Sequence, residues 1–228
     1  MAGRITGWRR ASHIRYPLPI SVRNVQSAGN WRCDMAEVIV VVDTQADFIR
    51  ADGALPVAGA EDIVGPLAEW LHARTTGDTA AIVFTFDTHF VETYPASAEA
   101  ELFPIHCVRG TAGWRNLIDP LTMPPAIPCR TLEKGVFDMW AEDRLVLHDP
   151  HGAAPPTDRD TFFDDLRKSG VDRAIVVGVA ADYCVRWAVD GLIARGFAVA
   201  IPAALTRGIT RSIEQVVSDD FGGRVEVV

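Results

Sequence analysis

From residue 37 onward the apolar positions follow two patterns that alternate along the chain. In the first, apolar and mostly β-branched residues follow one another with almost no polar break. Examples are "EVIVVVD" (37–43), "TAAIVFTFD" (79–87), "DRAIVVGVA" (172–180), "FAVAIP" (197–202) and "RVEVV" (224–228). Runs this short and this apolar read as strands buried on both faces. In the second pattern the apolar residues recur at helical spacing. "GAEDIVGPLAEWLHART" (59–75) carries Ile63, Leu67, Trp70 and Leu71 on one face despite Pro66. "DTFFDDLRKSG" (160–170) is predicted to be a helix with Asp160 as N-cap and Gly170 as its stop. "DYCVRWAVDGLIARG" (182–196) and "TRSIEQVVSDD" (210–220) complete the helices. Residues 88–130, rich in Pro, Gly and aromatics, fit neither pattern and read as irregular, and "HDPHGAAPPTDRD" (148–160) reads as a loop within the domain.

Apolar strands separated by helices imply a sheet covered on both sides. The expected fold is therefore α/β, a three-layer α/β/α sandwich around a mainly parallel central sheet, formed by one domain over residues 35–228. Ligands of open parallel sheets bind beyond the carboxyl ends of the strands. Asp43, the "DTH" at 87–89 and the turn leading to Cys184 all fall at such ends.

Composition narrows the setting. The 228 residues are 48% hydrophobic, enough for a full core, and no apolar run reaches the length of a membrane span. A net charge of -8 argues against a nucleic-acid partner. That charge is uneven. Residues 1–34 hold six arginines (Arg4, Arg9, Arg10, Arg15, Arg23, Arg32) against the single acid Asp34, whereas the rest of the chain has 16 basic and 29 acidic residues. Without a long apolar core, this extension is no secretory signal. It is either a disordered or transit-like arm or a start assigned upstream of the true one at Met35, and "MAEVIVVVD" favours the second reading. Cys33, Cys107, Cys129 and Cys184 are scattered, without a CxxC pair, so neither a disulfide framework nor a zinc finger is expected, and a reducing cytoplasm is. A monomer and a homo-oligomer fit equally well.

Four places hold candidate chemistry. Cys184 stands after a strand in the first turn of a helix, where the helix dipole favours a thiolate and backbone N–H groups face outward; it is either a nucleophile or a buried core cysteine. Asp43 is a general base or merely a cap or ion-pair partner. Asp87 and His89 point to one face if the strand continues, which suits two ligands of a metal, and "AEAELFPIHC" adds Glu99, Glu101 and His106. Such a set suits Zn, Mn or Fe. Lys134, in "LEKGVF", is a solvated lysine when taken singly.

Together these segments resemble the nicotinamidase/pyrazinamidase branch of the isochorismatase-like cysteine hydrolases. The resemblance rests on "VVDTQADF", "GALPVAGAEDIV", "FDTH", "AELFPIHCVRGTAG", "EKG" and "VVGVAADYCVRWAVDGLIARGFAV", in that order, between residue 37 and about 209. It implies a triad of Asp43, Lys134 and Cys184, with a cis peptide at Val179–Ala180 that turns the backbone N–H groups of Ala180 and Cys184 toward an oxyanion. It also implies one divalent transition metal (Zn, Fe or Mn) held by Asp87, His89 and His106. The histidine that many members supply soon after D-x-H is missing from "FVETYP". Glu99, seven residues before His106, takes that place in some members, with Glu101 and Glu92 as substitutes. Phe48 and Phe103 match aromatic walls of the substrate site, and Trp140 lies in a stretch, "GVFDMWAEDRLVLHD", that departs from the family near the substrate.

The implied activity is deamidation of nicotinamide, a small-molecule amide, to nicotinic acid and ammonia through a cysteine thioester, a step of NAD salvage. One alternative is a relative that cleaves a C–N bond of a carbamoyl or ureido compound; such relatives generally lack the metal set. Another is a non-catalytic binding or redox-sensing member, which has no need of all three triad residues.

Overall fold

The uninterrupted apolar runs form the centre of a single nine-stranded sheet. The computed structural model describes residues 36–228, so the expectations for residues 1–34 and Cys33 lie outside it. In chain order the strands are β1 (Glu37–Val42), β2 (Thr79–Asp87), β3 (Cys129–Lys134), β4 (Val146–His148), β5 (Thr157–Asp158), β6 (Arg173–Val179), β7 (Ala198–Ile201), β8 (Thr206–Arg207) and β9 (Val225–Val227). Their order across the sheet is β5-β4-β3-β2-β1-β6-β7-β9, with β8 paired to β6. The pairings from β3 through β9, and that of β8, are parallel, while β4 and β5 attach antiparallel at one edge.

The α-helices are α1 (Ala46–Ile49), α2 (Glu61–His72), α3 (Arg159–Lys168), α4 (Arg186–Ala194) and α5 (Ile213–Val216). Strand β1 shows why the sheet needs cover on both sides. Val38, Val40 and Val42 join a core with Phe163 of α3 and Ala188, Val189 and Leu192 of α4. Ile39 and Val41 face the other way, into a core with Leu67 and Leu71 of α2. Successive side chains alternate faces, so a polar residue at either parity would sit in a core. Gly178 in β6 has φ +108, and a Cβ there would collide with the carbonyl oxygen of Val42, so only glycine lets β6 lie this close to β1.

Four expectations change. The stretch 129–134, whose start fell in the irregular region, is strand β3. Its burial is mixed, with Leu132 and Lys134 buried while Glu133 is partly open and pairs with Arg109, so it lacks an unbroken apolar run. The loop expected at 148–160 contains the short strand β5, and β4 ends at His148. Helix α3 is capped by Asp158, which accepts from the Thr161 N–H at 2.9 Å, rather than by Asp160, which pairs with Arg159 and Arg195. The helix expected from 182 opens with a wide turn, Ala181–Val185, in which Tyr183 leaves helical geometry, and only then continues as α4. The peptide between Val179 and Ala180 is cis.

Candidate active site

Four neighbouring strands, β3, β2, β1 and β6, deliver the candidate residues at their carboxyl ends. Lys134 closes β3 and is the register partner of Asp87, which closes β2. Asp43 follows β1, and Cys184 lies in the turn after β6. All four side chains are buried.

Lys134 is the hub. Its Nζ lies 2.9 Å from Asp43 Oδ2, 3.3 Å from Asp87 Oδ1 and 3.4 Å from Cys184 Sγ. Burial alone would discharge this lysine, but the carboxylates of Asp43 and Asp87 outweigh it and hold the ammonium well above its ordinary pKa. The solvated reading of Lys134 is therefore set aside. For Asp87, burial favours the neutral acid, yet the Lys134 charge and the two imidazoles hold it well below its usual range. Asp43 is held by Thr85, whose hydroxyl donates to Asp43 Oδ1 at 2.6 Å and accepts from the Asp43 N–H at 3.2 Å. Asp43 adopts φ +45, a left-handed conformation that few residues besides glycine, Asn and Asp adopt readily.

The expected thiolate is not what the surroundings favour at rest. Burial pushes the Cys184 thiol well up, Lys134 pulls it down, and Asp43 and Asp87 raise it further. A helix dipole acts over the first turn, but desolvation beside two carboxylates wins. The thiol therefore rests protonated, with the Lys134 ammonium donating to its sulfur at 3.4 Å.

Next to this group, Asp87, His89, Glu99 and His106 bring four ligand atoms within 4.8 Å of one another, all on buried residues. Glu101 and Glu92, the alternatives to Glu99, are exposed. Several contacts fit a cation. His106 Nδ1 is 2.8 Å from the Pro104 carbonyl oxygen, which only accepts, so Nδ1 carries the proton. Its Nε2 then turns a lone pair toward Asp87 Oδ2 at 3.0 Å. His89 Nε2 lies 3.2 Å from both Asp87 Oδ2 and Glu99 Oε2. Neither carboxylate oxygen of Glu99 has a hydrogen-bond donor. Burial would lower His89, yet the surrounding carboxylates raise it to about 9, so this cluster favours positive charge. A set of two imidazoles and two carboxylates with a carbonyl-anchored histidine suits a divalent transition metal.

Rings surround the group. Phe48 meets His106 edge-on at 5.1 Å. Phe103 forms a three-ring cluster with Phe137 and Tyr183, at 5.8 Å and 5.2 Å. Trp140, placed in the sequence among the substrate-binding residues, lies outside this ring cluster. Its ring packs on Phe163, its Nε1–H donates to the Ala188 carbonyl, and the Arg195 guanidinium lies 3.8 Å from its centre. Phe137, three residues earlier, takes the position among the rings.

Sequence reasoning missed the residues that hold this group in place. Gln45 donates to the Asp87 carbonyl at 2.8 Å and accepts the Asp87 N–H at 2.8 Å, fixing the end of β2. Tyr94 donates to the carbonyl oxygens of Phe103 and Pro104. Asp182 accepts from the N–H groups of Ile209, Thr210 and Arg211, tying the Cys184 turn to the loop after β8. A glutamine directly after the "VVDT" strand was the only cue to any of these.

Comparison with known proteins gives the family and the fold. The isochorismatase domain model matches residues 37–217. The nicotinamidase of Escherichia coli is 30% identical over 192 residues, spanning 75% of this chain and 83% of that protein. The nicotinamidase/pyrazinamidase of Mycobacterium tuberculosis is 28% identical over 182 residues, spanning 75% and 87%. The structure of a Pyrococcus horikoshii pyrazinamidase in complex with zinc is similar with a TM-score of 0.63 and 26% identity, over 84% of this chain and 98% of that one. The chain belongs to the isochorismatase domain family, on the branch of the nicotinamidases and pyrazinamidases, and so stands among the amidohydrolases.

Proposed function

We propose that this protein hydrolyses the carboxamide of nicotinamide or a close heteroaromatic amide, releasing ammonia and the carboxylic acid, as a step of NAD salvage. The observation that carries the reading is Cys184, Asp43 and Lys134 gathered beside the Asp87–His89–Glu99–His106 cluster. Relatives named nicotinamidase support the substrate class.

In this reading Asp43 takes the Cys184 proton as sulfur attacks the carboxamide carbon. Lys134 keeps its charge throughout and steadies both the carboxylate and the developing thiolate. Backbone N–H groups of Ala180 and Cys184 stabilise the oxyanion, each such donor contributing about 3 kcal/mol. Asp43 returns the proton to the leaving nitrogen, the C–N bond breaks, and ammonia departs from a Cys184 thioester. Water then gives a proton to Asp43 and its oxygen to the acyl carbon. The acid leaves, and the proton returns to sulfur. Phe48 and Phe103 serve as walls for the aromatic ring. Asp87, His89, Glu99 and His106 would hold a divalent metal (Zn, Fe or Mn), which when bound supplies a ligand position for the ring nitrogen and so orients the substrate.

An ammonia-release assay over nicotinamide, pyrazinamide and ureido compounds, with and without chelator, tests this. Release from the two aromatic amides is expected, and Cys184→Ala is expected to abolish it. Activity in that variant, or turnover of ureido compounds alone, would overturn the reading.

A further inference from the structure

Asp47, four residues after Asp43, has no part in the proposed chemistry, yet it joins two loops, the 54–55 stretch and the β2–β3 connection. Its Oδ2 accepts the Cys107 N–H at 2.7 Å, and its Oδ1 accepts the Ala54 N–H at 3.1 Å. Its own N–H donates to the Gly113 carbonyl at 3.0 Å, and its carbonyl accepts from Leu55. A Cβ on Gly113 would collide with the Asp47 carboxylate, so the loop is seated directly on it.

Cys107 is the residue through which this reaches the four-ligand cluster. It follows His106 in the chain, and its carbonyl accepts the His89 N–H at 3.1 Å. Its φ is +45, a conformation that costs a non-glycine residue energy and needs an external hold. One residue thus links the backbones of both imidazole ligands, and a carboxylate pins its N–H. We propose that Asp47 is a positioning residue that sets the His89–His106 pair for metal before metal arrives. This inference rests on the metal site proposed above and deepens it. A carboxylate suits the task because it is acceptor-only and satisfies two N–H groups at once, whereas an amide at the same place turns a donor against one of them. Outer partners of ligands typically change metal affinity about 10–100-fold when altered.

The test compares the wild-type protein and Asp47→Asn, both stripped with chelator, by zinc affinity in a chelator competition and by the visible spectrum of the Co²⁺-loaded forms. About tenfold weaker zinc binding and a changed Co²⁺ spectrum in the variant are expected. Wild-type affinity and spectrum in Asp47→Asn would overturn the inference and leave the metal site standing. A wild-type protein that binds neither ion would overturn both. A further measurement needs no variant: amide hydrogen exchange at Cys107 in the metal-free wild-type protein. Protection there is expected before zinc is added, and protection that arises only with zinc would overturn the inference.

Discussion

Lys134 shows how one side chain sets the chemistry of its neighbours. Its charge sits between Asp43 and Asp87, where burial opposes it and two carboxylates retain it. Replacement by methionine would leave two carboxylates buried without a counter-charge. Removing one partner of a buried pair costs about 3–5 kcal/mol. Lys134→Met is therefore expected to lower unfolding free energy by about 3 kcal/mol or more in urea titration and to stop ammonia release. Cys184→Ala separates the two effects. The thiol is neutral at rest, and a small apolar side chain fits the same buried turn, so activity should vanish while stability stays within about 1 kcal/mol of wild type.

Two elements hold the site at the carboxyl end of the sheet. The first is the contact of β6 with β1, which depends on Gly178. Alanine there meets both a left-handed φ and the Val42 carbonyl, so Gly178→Ala is expected to cost about 2 kcal/mol or more, read from the urea midpoint. The second is the Cys184 turn, tied to the Ile209–Arg211 loop through Asp182. Burial would raise the Asp182 carboxyl, but hydrogen bonds from Thr210 and Ile209 outweigh it and hold it below its ordinary value. A carboxyl depressed in the folded state adds stability that is complete above its unfolded pKa of about 3.9 and is lost as pH falls through the folded pKa. Asp182→Ala should thus be less stable than wild type by about 2 kcal/mol at pH 7, and the gap should narrow as pH falls below about 4. A gap that stays constant down to acid pH would show that the carboxylate is not its source.

At the scale of the whole molecule, the four-ligand cluster ties a long irregular segment to the sheet. Asp87 closes β2, while Glu99 and His106 come from the connection between β2 and β3. A metal bound there would stabilise the folded state by mass action, about 2.7 kcal/mol at one hundred times its dissociation constant. Zinc should therefore raise the thermal midpoint of chelator-stripped protein, and Glu99→Gln should shrink that rise. Equal midpoints with and without zinc would argue against the site. No helix among the described residues is long and apolar enough to cross a membrane.

The sheet's centre was readable from the chain because a strand covered on both faces carries few polar residues at either parity, and those it has, such as Thr85, must be hydrogen-bonded. Hence β1, β2, β6 and β7 stood out as unbroken apolar runs, and their ends pointed to Asp43, Asp87 and Cys184. Position at a strand end survives without knowledge of the fold, since the run and the carboxylate are contiguous. Tertiary structure alone decided what depends on distant partners. Strand β3 was hidden because only some of its residues are covered, so Lys134 looked ordinary until the sheet set it between two carboxylates. Glu99 parted from Glu101 and Glu92 by burial, and Trp140 stands outside the Phe103–Phe137–Tyr183 cluster, its ring held by Arg159 and Arg195. Asp47 gained a role only when a loop 60 residues later offered its N–H. Local pattern records which faces are buried; which charge meets which is settled by chain segments that the pattern does not bring together.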